Sequence, residues 1–447
     1  MDSPPATTVS ARQIAALAVP AFLALIVEPL FLLADTAIVG HLGTVPLAGL
    51  GVASAALLTG VNVFIFLAYG TTALVARRMG AGQESEALAG GIDGIWLSIG
   101  LGAVTAIVVG GTAEPICRLF GASDATVDQA VIYLRISAIG IPGMLVILAA
   151  TGVLRGLLDT RTPLVAATLG FGVNIALNYL LVYPVGLGIA GSAWGTVIAQ
   201  TGMGLGLGAV VARQARARGA RLTPHPAGVL TSAASGVPLL VRTLALRGAL
   251  LLDTWLSAGI STVVLAANQV SMTVFSFMAF ALDALAIAAQ TMTGRALGAG
   301  DRSGARHLTR ILTWWGVGLG AVLAVLLTAT HTVLPRLFTD DPHLQQTLGA
   351  ALLVLAALLP VCGIVFVLDG VLIGAGDGRA LAWVQVLVLL GYAPVVIALR
   401  AHAGDLAALG DGTAMVIVWL AFGWFLVLRC VGLGLRARSD RWLVTGS

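Results

Sequence analysis

Five acidic side chains lie inside long apolar stretches of the 447-residue chain: Glu28, Asp35, Asp253, Asp283 and Asp369. An ionised side chain at the centre of a bilayer costs about 2.5 kcal/mol or more, so acids in such positions are the first candidates for function. A carboxyl group among apolar groups binds a proton more readily than one in water. These residues therefore predict the binding and release of protons or of a monovalent cation.

Asp35 lies near the outer end of the first apolar stretch, in the segment PLFLLADTAIVG. We expect it to exchange a proton between the two sides of the membrane; the alternative is an interfacial acid that only caps a loop. Glu28 lies seven residues earlier and, at about 100° per residue, faces nearly the same direction unless Pro29 alters the helix. It is either a second titrating group or an acid that lines a cavity.

Pro20 lies in the same stretch, fifteen residues before Asp35. A proline inside a helix removes one backbone hydrogen bond and kinks the helix. The first helix is expected to bend at Pro20 when Asp35 changes its protonation state. A static kink is the alternative.

Asn174 and Asn178, in GFGVNIALNYLL, are four residues apart and share one face of the predicted fifth helix. An amide donates and accepts hydrogen bonds, which suits a carboxyl partner that gains and loses a proton. We expect both opposite Asp35, forming with it the proton-coupling and substrate site of the first half. The alternative is that they only hold neighbouring helices together.

The second half carries a candidate cation or substrate site formed by Asp253, Asp283 and Asp369, together with Asn268 and Gln290. Carboxylate and amide oxygens suit a hard monovalent cation such as Na⁺, and the same acids could form a second proton site. Arg242 lies about three turns before Asp253 and could neutralise one of these acids instead.

Composition predicts that membrane helices carry these residues. Hydrophobic residues make up 58% of the chain and charged residues 10%, with a mean hydropathy of +1.00, whereas a soluble protein needs about 25% charged residues. Twelve apolar runs are long enough to cross about 30 Å of hydrocarbon. They cover 13–38, 46–75, 88–112, 128–155, 162–183, 187–212, 231–258, 263–293, 307–332, 345–374, 380–400 and 410–435. The first is expected to be a retained helix and not a cleaved signal peptide.

An internal repeat organises these runs. One constant, ungapped shift along the chain superimposes Asp35-Thr36 on Asp253-Thr254 and the segment from Gly152 to Leu154 on that from Gly370 to Leu372. Each copy holds six spans, an even number, so both enter the bilayer in the same sense. The predicted fold is all-α, with two six-helix lobes at 1–222 and 223–447 related by a pseudo-two-fold axis along the membrane normal.

The basic residues indicate orientation. All 24 are arginines, and most fall in the segments that are cytoplasmic if the N-terminus is inside. Both termini are therefore expected in the cytoplasm. The basic balance reflects topology and not nucleic-acid binding. The polar stretch 213–230 is interpreted as the linker between the lobes, with contact to anionic lipid as the alternative.

Enzyme signatures are missing from the sequence. It contains no Walker loop, HExxH or GxSxG pattern. Cys117, Cys362 and Cys430 have neither disulfide nor zinc-site spacing. We expect no enzyme activity and no cofactor, only a coupling ion, H⁺ or Na⁺.

Four segments together resemble one transporter family: PLFLLADTAIVGHLG, LVRTLALR, FMAFALDALAIAAQTMTGRALGAGD and VLDGVLIGAGD. They are similar to signature regions of the multidrug and toxic compound extrusion (MATE) transporters, most closely the DinF-type branch, and the resemblance runs from about Pro20 to Arg436. It implies a two-lobed helical transporter in which a proton or sodium gradient drives export of amphiphilic, often cationic compounds.

The resemblance also implies roles for particular residues. Asp35 matches the family's first-span acid, which is linked to proton coupling and substrate release, and Asn174 matches an amide of the same cluster. Asn178 stands where many relatives have an acid. Asp253 and Asp369 resemble the acids that bind cations in sodium-coupled members. Asp283 fits an ALDG-like motif whose last residue is Ala284 here.

The predicted function is a secondary antiporter that exports amphiphilic or cationic drugs and toxic compounds by alternating access. It is expected as a monomer in the cell membrane, with small-molecule substrates and membrane lipids as partners and no nucleic acid. One alternative is a lipid-linked-sugar flippase of the same broad superfamily, which needs basic residues in its cavity for pyrophosphate. Another is a membrane scaffold or sensor that transports nothing.

Overall fold

The computed structural model describes residues 10–446, and that part of the chain contains helices and no strand. In a bilayer every backbone polar group must find a partner within the protein, which favours helices in apolar segments. The α-helices are α1 (Ala11–Gly40), α2 (Thr44–Asn62), α3 (Phe66–Gly80), α4 (Glu84–Gly111), α5 (Ala113–Arg118), α6 (Asp124–Gly156), α7 (Arg161–Val182), α8 (Ile189–Ala217), α9 (Pro226–Ala258), α10 (Thr262–Gly298), α11 (Arg302–Thr330), α12 (Pro342–Gly374), α13 (Gly378–Ala401), α14 (Ala403–Ala408) and α15 (Asp411–Arg438).

Twelve spans of these helices are long and apolar enough to cross a membrane. Helices α2 and α3 form one of them, Thr44–Gly80, because a 3₁₀ turn at Val63–Ile65 joins them without a break. Helices α5 and α14 are too short to cross. The predicted all-α class and the predicted number of spans are confirmed.

The chain divides into two compact units, one built mainly from Ala15–Val237 and the other mainly from Pro238–Thr445. We call them the N-terminal unit and the C-terminal unit. The first contains nearly all of α1 together with α2 to α8, and the second contains α10 to α15 with most of α9. The lobe boundary predicted from sequence, 222/223, lies between the end of α8 at Ala217 and the start of α9 at Pro226.

Helix bounds reproduce the internal repeat. The spans Thr44–Gly80 and Thr262–Gly298 both have 37 residues, and Asp124–Gly156 and Pro342–Gly374 both have 33. In each pair the first residues of the two spans are separated by the same offset as Asp35 and Asp253. The two units are therefore built from equivalent helices.

Glycines allow equivalent helix pairs to approach closely in each unit. A Cβ atom at Gly152 on α6 would lie 3.1 Å from the carbonyl carbon of Ala68 on α3. At the equivalent position on α12, a Cβ at Gly370 would lie 2.9 Å from the carbonyl carbon of Ala286 on α10. Small residues permit backbone contact between membrane helices, so these glycines fix the separation of each pair.

The polar segment between α8 and α9 is bound to the N-terminal unit by Asp93 of α4. This carboxylate is almost fully buried and accepts from Arg221 Nη1 at 2.9 Å and from the backbone N–H of His225 at 3.0 Å. The hydrogen bond to Asp93 raises the pKa of the Arg221 guanidinium. The central part of the predicted linker is thus ordered against α4.

The close approach of α10 and α12 should make Gly370 intolerant of a side chain. Gly370→Ala is expected to lower the free energy of unfolding by about 1–3 kcal/mol, because the new methyl group collides with the Ala286 backbone. The measurement is the thermal unfolding midpoint of the detergent-solubilised protein. Gly318→Ala on α11 is the matched control, since a Cβ there has nothing within 4 Å. Equal midpoints for the two variants would contradict the assignment.

Candidate functional site

A cluster of polar side chains surrounds Asp35 inside the N-terminal unit. It contains Asp35 of α1, Tyr133 of α6, Asn174 and Asn178 of α7, and Thr196 of α8, and we call it the Asp35 cluster. All five side chains are buried, and Asp35 retains only 3% of its exposure. Four helices therefore converge on one carboxyl group.

Three hydrogen bonds are donated to the Asp35 carboxylate. Asn178 Nδ2 donates to Oδ1, Thr196 Oγ1 donates to Oδ2 at 3.3 Å, and Tyr133 Oη donates to Oδ2 at 3.5 Å. Asn174 Nδ2 donates to Thr196 Oγ1 at 3.1 Å, which leaves the threonine hydroxyl proton for Asp35. The predicted proximity of the two asparagines to Asp35 is present in the structure.

The partners of Asp35 are neutral groups. Among the described residues no arginine or histidine forms an ion pair with it. A buried carboxyl with neutral donors alternates between a charged and an uncharged state without breaking an ion pair. The cluster is therefore suited to taking up and releasing one proton.

The Asn178 amide is only half satisfied. Its Nδ2 donates to Asp35 and lies 3.4 Å from Asn174 Oδ1, whereas its own Oδ1 is buried and has no hydrogen-bond partner among the described residues. Buried polar atoms without partners are uncommon in folded proteins. This oxygen can accept the hydrogen bond that a protonated Asp35 would donate.

Glu28 lies outside the Asp35 cluster. Its side chain is exposed and makes no hydrogen bond or ion pair with a described residue. The shared direction expected from its spacing to Asp35 does not bring the two carboxyls into contact. Helix α1 is continuous from Ala11 to Gly40 through both Pro20 and Pro29.

A second buried acid occupies the equivalent position of the C-terminal unit. Asp253 of α9 has no solvent exposure; Asn268 Nδ2 of α10 donates to its Oδ2 at 2.6 Å, and Tyr392 Oη of α13 donates to its Oδ1 at 3.5 Å. Tyr392 occupies the repeat position of Asn174, so the repeat places a polar side chain near the acid in both units. Asn268 belongs to this site, as its predicted grouping with Asp253 requires.

Asp369 lies in a buried ion pair with two arginines. Arg242 Nε donates to Oδ1 at 3.1 Å, Arg242 Nη2 contacts Oδ2, and Arg429 Nη2 lies 3.5 Å from Oδ2. All three residues are less than a tenth exposed. Arg242 therefore neutralises Asp369. It does not pair with Asp253, which lies about three turns further along the same helix.

The other two candidates of the second half lie on α10. Asp283 is half-buried and Gln290 is buried. Among residues 10–446 no group of three or more His, Cys, Asp or Glu side chains is close enough to hold a metal ion. A sodium site shared by Asp253 and Asp369 stays a prediction. Of its two proposed ligands, Asp369 is in contact with two guanidinium groups.

Sequence reasoning missed Tyr133, Thr196, Tyr392 and Arg429 as contacts of the buried acids. Tyr392 was available from the repeat, because it occupies the position equivalent to Asn174. Arg429 was visible as a charge inside the last span but had no indicated partner. Single hydroxyl groups such as Thr196 and Tyr133 carry no spacing signal, since many membrane helices contain them.

Comparisons with known proteins agree with this architecture. The sequence profile of the MatE family matches residues 20–180 and 238–398, two segments that begin at equivalent positions of the repeat. DNA damage-inducible protein F of Escherichia coli (strain K12) is 30% identical over 437 residues, covering 94% of this chain and 90% of that protein. Protein DETOXIFICATION 44, chloroplastic, of Arabidopsis thaliana is 31% identical over 402 residues, covering 84% and 74%.

The fold is also similar to solved structures. A crystal structure of the Vibrio cholerae MATE transporter VcmN in the bent form superimposes with a TM-score of 0.84 at 22% identity, covering 97% of this chain and 98% of that one. At this identity the similarity shows the shared helical fold.

Removing the charge of Asp369 should destabilise the C-terminal unit. Asp369→Asn leaves the buried guanidinium groups of Arg242 and Arg429 without their carboxylate, and breaking a buried pair in this way costs about 3–5 kcal/mol. The measurement is the thermal unfolding midpoint in detergent. Asp440→Asn is the matched control, because Asp440 pairs with Arg306 where both side chains are exposed, and such pairs contribute little. A midpoint for Asp369→Asn equal to that of the control would contradict the buried pair.

Proposed function

Since the chain belongs to the MatE family of membrane transporters, we propose that it is a secondary antiporter that exports amphiphilic, often cationic compounds in exchange for protons. It is a multi-pass transporter and not an enzyme. The observation that carries the proposal is the buried Asp35 carboxyl, held by neutral hydrogen-bond donors from three other helices.

The proposed mechanism makes protonation of Asp35 and binding of substrate mutually exclusive. A cationic or polar group of the substrate is attracted to the ionised carboxyl, whereas the protonated carboxyl offers no charge. Taking up a proton from outside therefore expels the substrate there, and releasing the proton inside restores the binding site. Asn174, Asn178 and Thr196 support this exchange because amides and hydroxyls accommodate either state.

The gradients supply enough energy for this exchange. One charge moved through 100 mV is worth about 2.3 kcal/mol, and one pH unit adds about 1.4 kcal/mol. Together they hold a neutral substrate at a gradient of several hundredfold. A monovalent cation exchanged for one proton moves no net charge, which leaves only about tenfold per pH unit.

Cationic substrates therefore favour a second coupling ion, and Asp253 is its proposed site. It is fully buried, has only neutral hydrogen-bond partners, and stands at the repeat position of Asp35. A sodium site would need Asp369 as a second ligand, and the guanidinium groups of Arg242 and Arg429 beside Asp369 repel a cation. These contacts therefore favour a proton over Na⁺ as the second ion. Asp283 and Gln290 remain candidates for substrate contacts.

We place both termini in the cytoplasm on the basis of the arginine distribution, and we propose that the protein acts as a monomer in the cell membrane. Its partners are small amphiphilic molecules and membrane lipids. No cofactor is required, because the ion gradient provides the energy.

The flippase alternative is less well supported by the charges of the C-terminal unit. A pyrophosphate group needs guanidinium groups that are available to it, whereas buried Arg242 and Arg429 both contact Asp369. A scaffold or sensor without transport gives no reason to bury Asp35 and Asp253, since each buried acid costs stability.

Asp35→Asn should abolish gradient-driven efflux, because the amide is isosteric with the carboxyl but does not exchange a proton at neutral pH. The measurement is dye efflux from proteoliposomes energised by a pH gradient, a sodium gradient or neither. Asp124→Asn is the control, since Asp124 is an exposed acid of the same unit.

The folded state of each variant is checked by its elution profile in detergent. Wild-type efflux by Asp35→Asn would exclude the proposed role of Asp35. If the rate of efflux by the wild type is the same with and without either gradient, an antiporter is excluded.

Bending of α1 at Pro20 is a further part of the proposed cycle. Pro20→Ala restores the missing backbone hydrogen bond and is expected to lower the turnover of efflux several-fold, because the straighter helix resists bending. Turnover is measured in the same vesicles, with Pro29→Ala in the same helix for comparison. Unchanged turnover in Pro20→Ala would show that the kink is static.

A further inference from the structure

Gly195 of α8 lies directly against the side chain of Asn178. A Cβ atom at position 195 would be 2.9 Å from the backbone nitrogen of Asn178 and 3.0 Å from its Cγ, and it would collide with Oδ1. These separations are too short for any residue larger than glycine. The Asn178 amide therefore occupies the volume that a side chain at 195 would fill.

A second glycine on the same helix, Gly191, lies against backbone atoms only. In the segment Gly191-Ser192-Ala193-Trp194-Gly195, the two glycines are four residues apart and lie on one face of α8. A Cβ at Gly191 would be 2.7 Å from the carbonyl carbon and oxygen of Leu181 on α7. Both glycines bring α7 and α8 together, but only Gly195 contacts a side chain of the Asp35 cluster.

The position of the amide matters because it makes the hydrogen bond to Asp35. Asn178 Nδ2 donates to Asp35 Oδ1, and Asn178 Oδ1 lies beside Gly195 without a hydrogen-bond partner among the described residues. When Asp35 carries a proton, the amide needs room to turn so that Oδ1 accepts from the carboxyl O–H. The space left by the missing side chain at 195 allows both orientations.

We propose that Gly195 is a positioning residue that acts through Asn178 and thereby sets the pH at which Asp35 exchanges its proton. This inference rests on the proposed function of Asp35. Gly195 itself has no polar side chain and touches neither the proton nor the substrate. Its contribution is the volume that it leaves to the amide.

Few other groups near Asp35 titrate. Tyr133 of α6 is its titratable hydrogen-bond partner, while Thr196 of α8 and the asparagines of α7 keep one protonation state. On α1, Glu28 makes no contact with Asp35. Directly after α1, the ring of His41 donates to the carbonyl oxygen of Ala37. A phenol has no carbonyl stretch, so an infrared titration of the carboxyl band distinguishes Asp35 from Tyr133.

Gly195→Ala should move the pH of half-maximal efflux upward by about one unit. The methyl group displaces the amide, so both states of Asp35 lose a hydrogen bond. The bond to the ionised carboxyl is the stronger of the two, and the difference corresponds to about one pH unit. A second readout needs no transport: the infrared band of the protonated Asp35 carboxyl, identified by its absence in Asp35→Asn, is titrated in purified protein. Its midpoint should shift by the same amount.

Two matched variants separate positioning from packing. Gly191→Ala crowds the α7 backbone without touching Asn178, and Gly202→Ala on α8 has nothing within 4 Å of the added atom. Both should keep the wild-type midpoints. An equal shift in Gly191→Ala would overturn the proposal, because helix separation would then explain the effect.

The double variant Asn178→Ala/Gly195→Ala covers the case in which Gly195→Ala fails to fold, since removing the amide relieves the side-chain collision. Its infrared midpoint should equal that of Asn178→Ala alone, as expected when two changes remove one interaction. A further shift in the double variant would overturn the role of Gly195. Normal efflux by Asp35→Asn would instead count against the proposed function, and the infrared titration would still decide the positioning.

Discussion

Burial of the Asp35 carboxyl among neutral hydrogen-bond donors is the interaction on which the rest of the N-terminal unit depends. A charged group in an apolar interior is costly unless its oxygens are satisfied, so α6, α7 and α8 must each bring a donor to the same point. Close helix contact follows from this requirement, because short side chains such as those of Asn178 and Thr196 reach the acid only when the helices touch. The glycines of α8 meet that geometric demand.

The C-terminal unit solves the same problem in two ways. Asp253 is satisfied by an amide and a phenol, as Asp35 is by an amide and two hydroxyls. Asp369 is satisfied by charge, since Arg242 and Arg429 surround it. An acid with neutral partners changes its protonation state without breaking an ion pair, whereas an acid between two guanidinium groups loses both ion pairs when it takes up a proton. Burial alone therefore does not identify the acids suited to proton exchange.

Hydropathy and the repeat predicted the number of spans and their pairing, because a lipid environment leaves helices as the main way to satisfy the backbone. The contact of Asn178 with Asp35 was also predictable, since a lone buried acid needs a polar partner and α7 offers two on one face. The partner of Arg242 was not. Eleven residues of helix place Arg242 about 16 Å from Asp253 along the axis, so its ion pair had to come from another helix.

The two halves share their acid but not the side chains that hold it. In the first half the amide comes from α7, and in the second it comes from α10, at a position where the first half has Leu50. If both halves descend from one ancestral six-helix protein, the carboxyl has been retained in both copies while the residues around it have changed. The companions of this carboxyl have then been free to diversify between the duplicated copies, while the location of the acid itself has not.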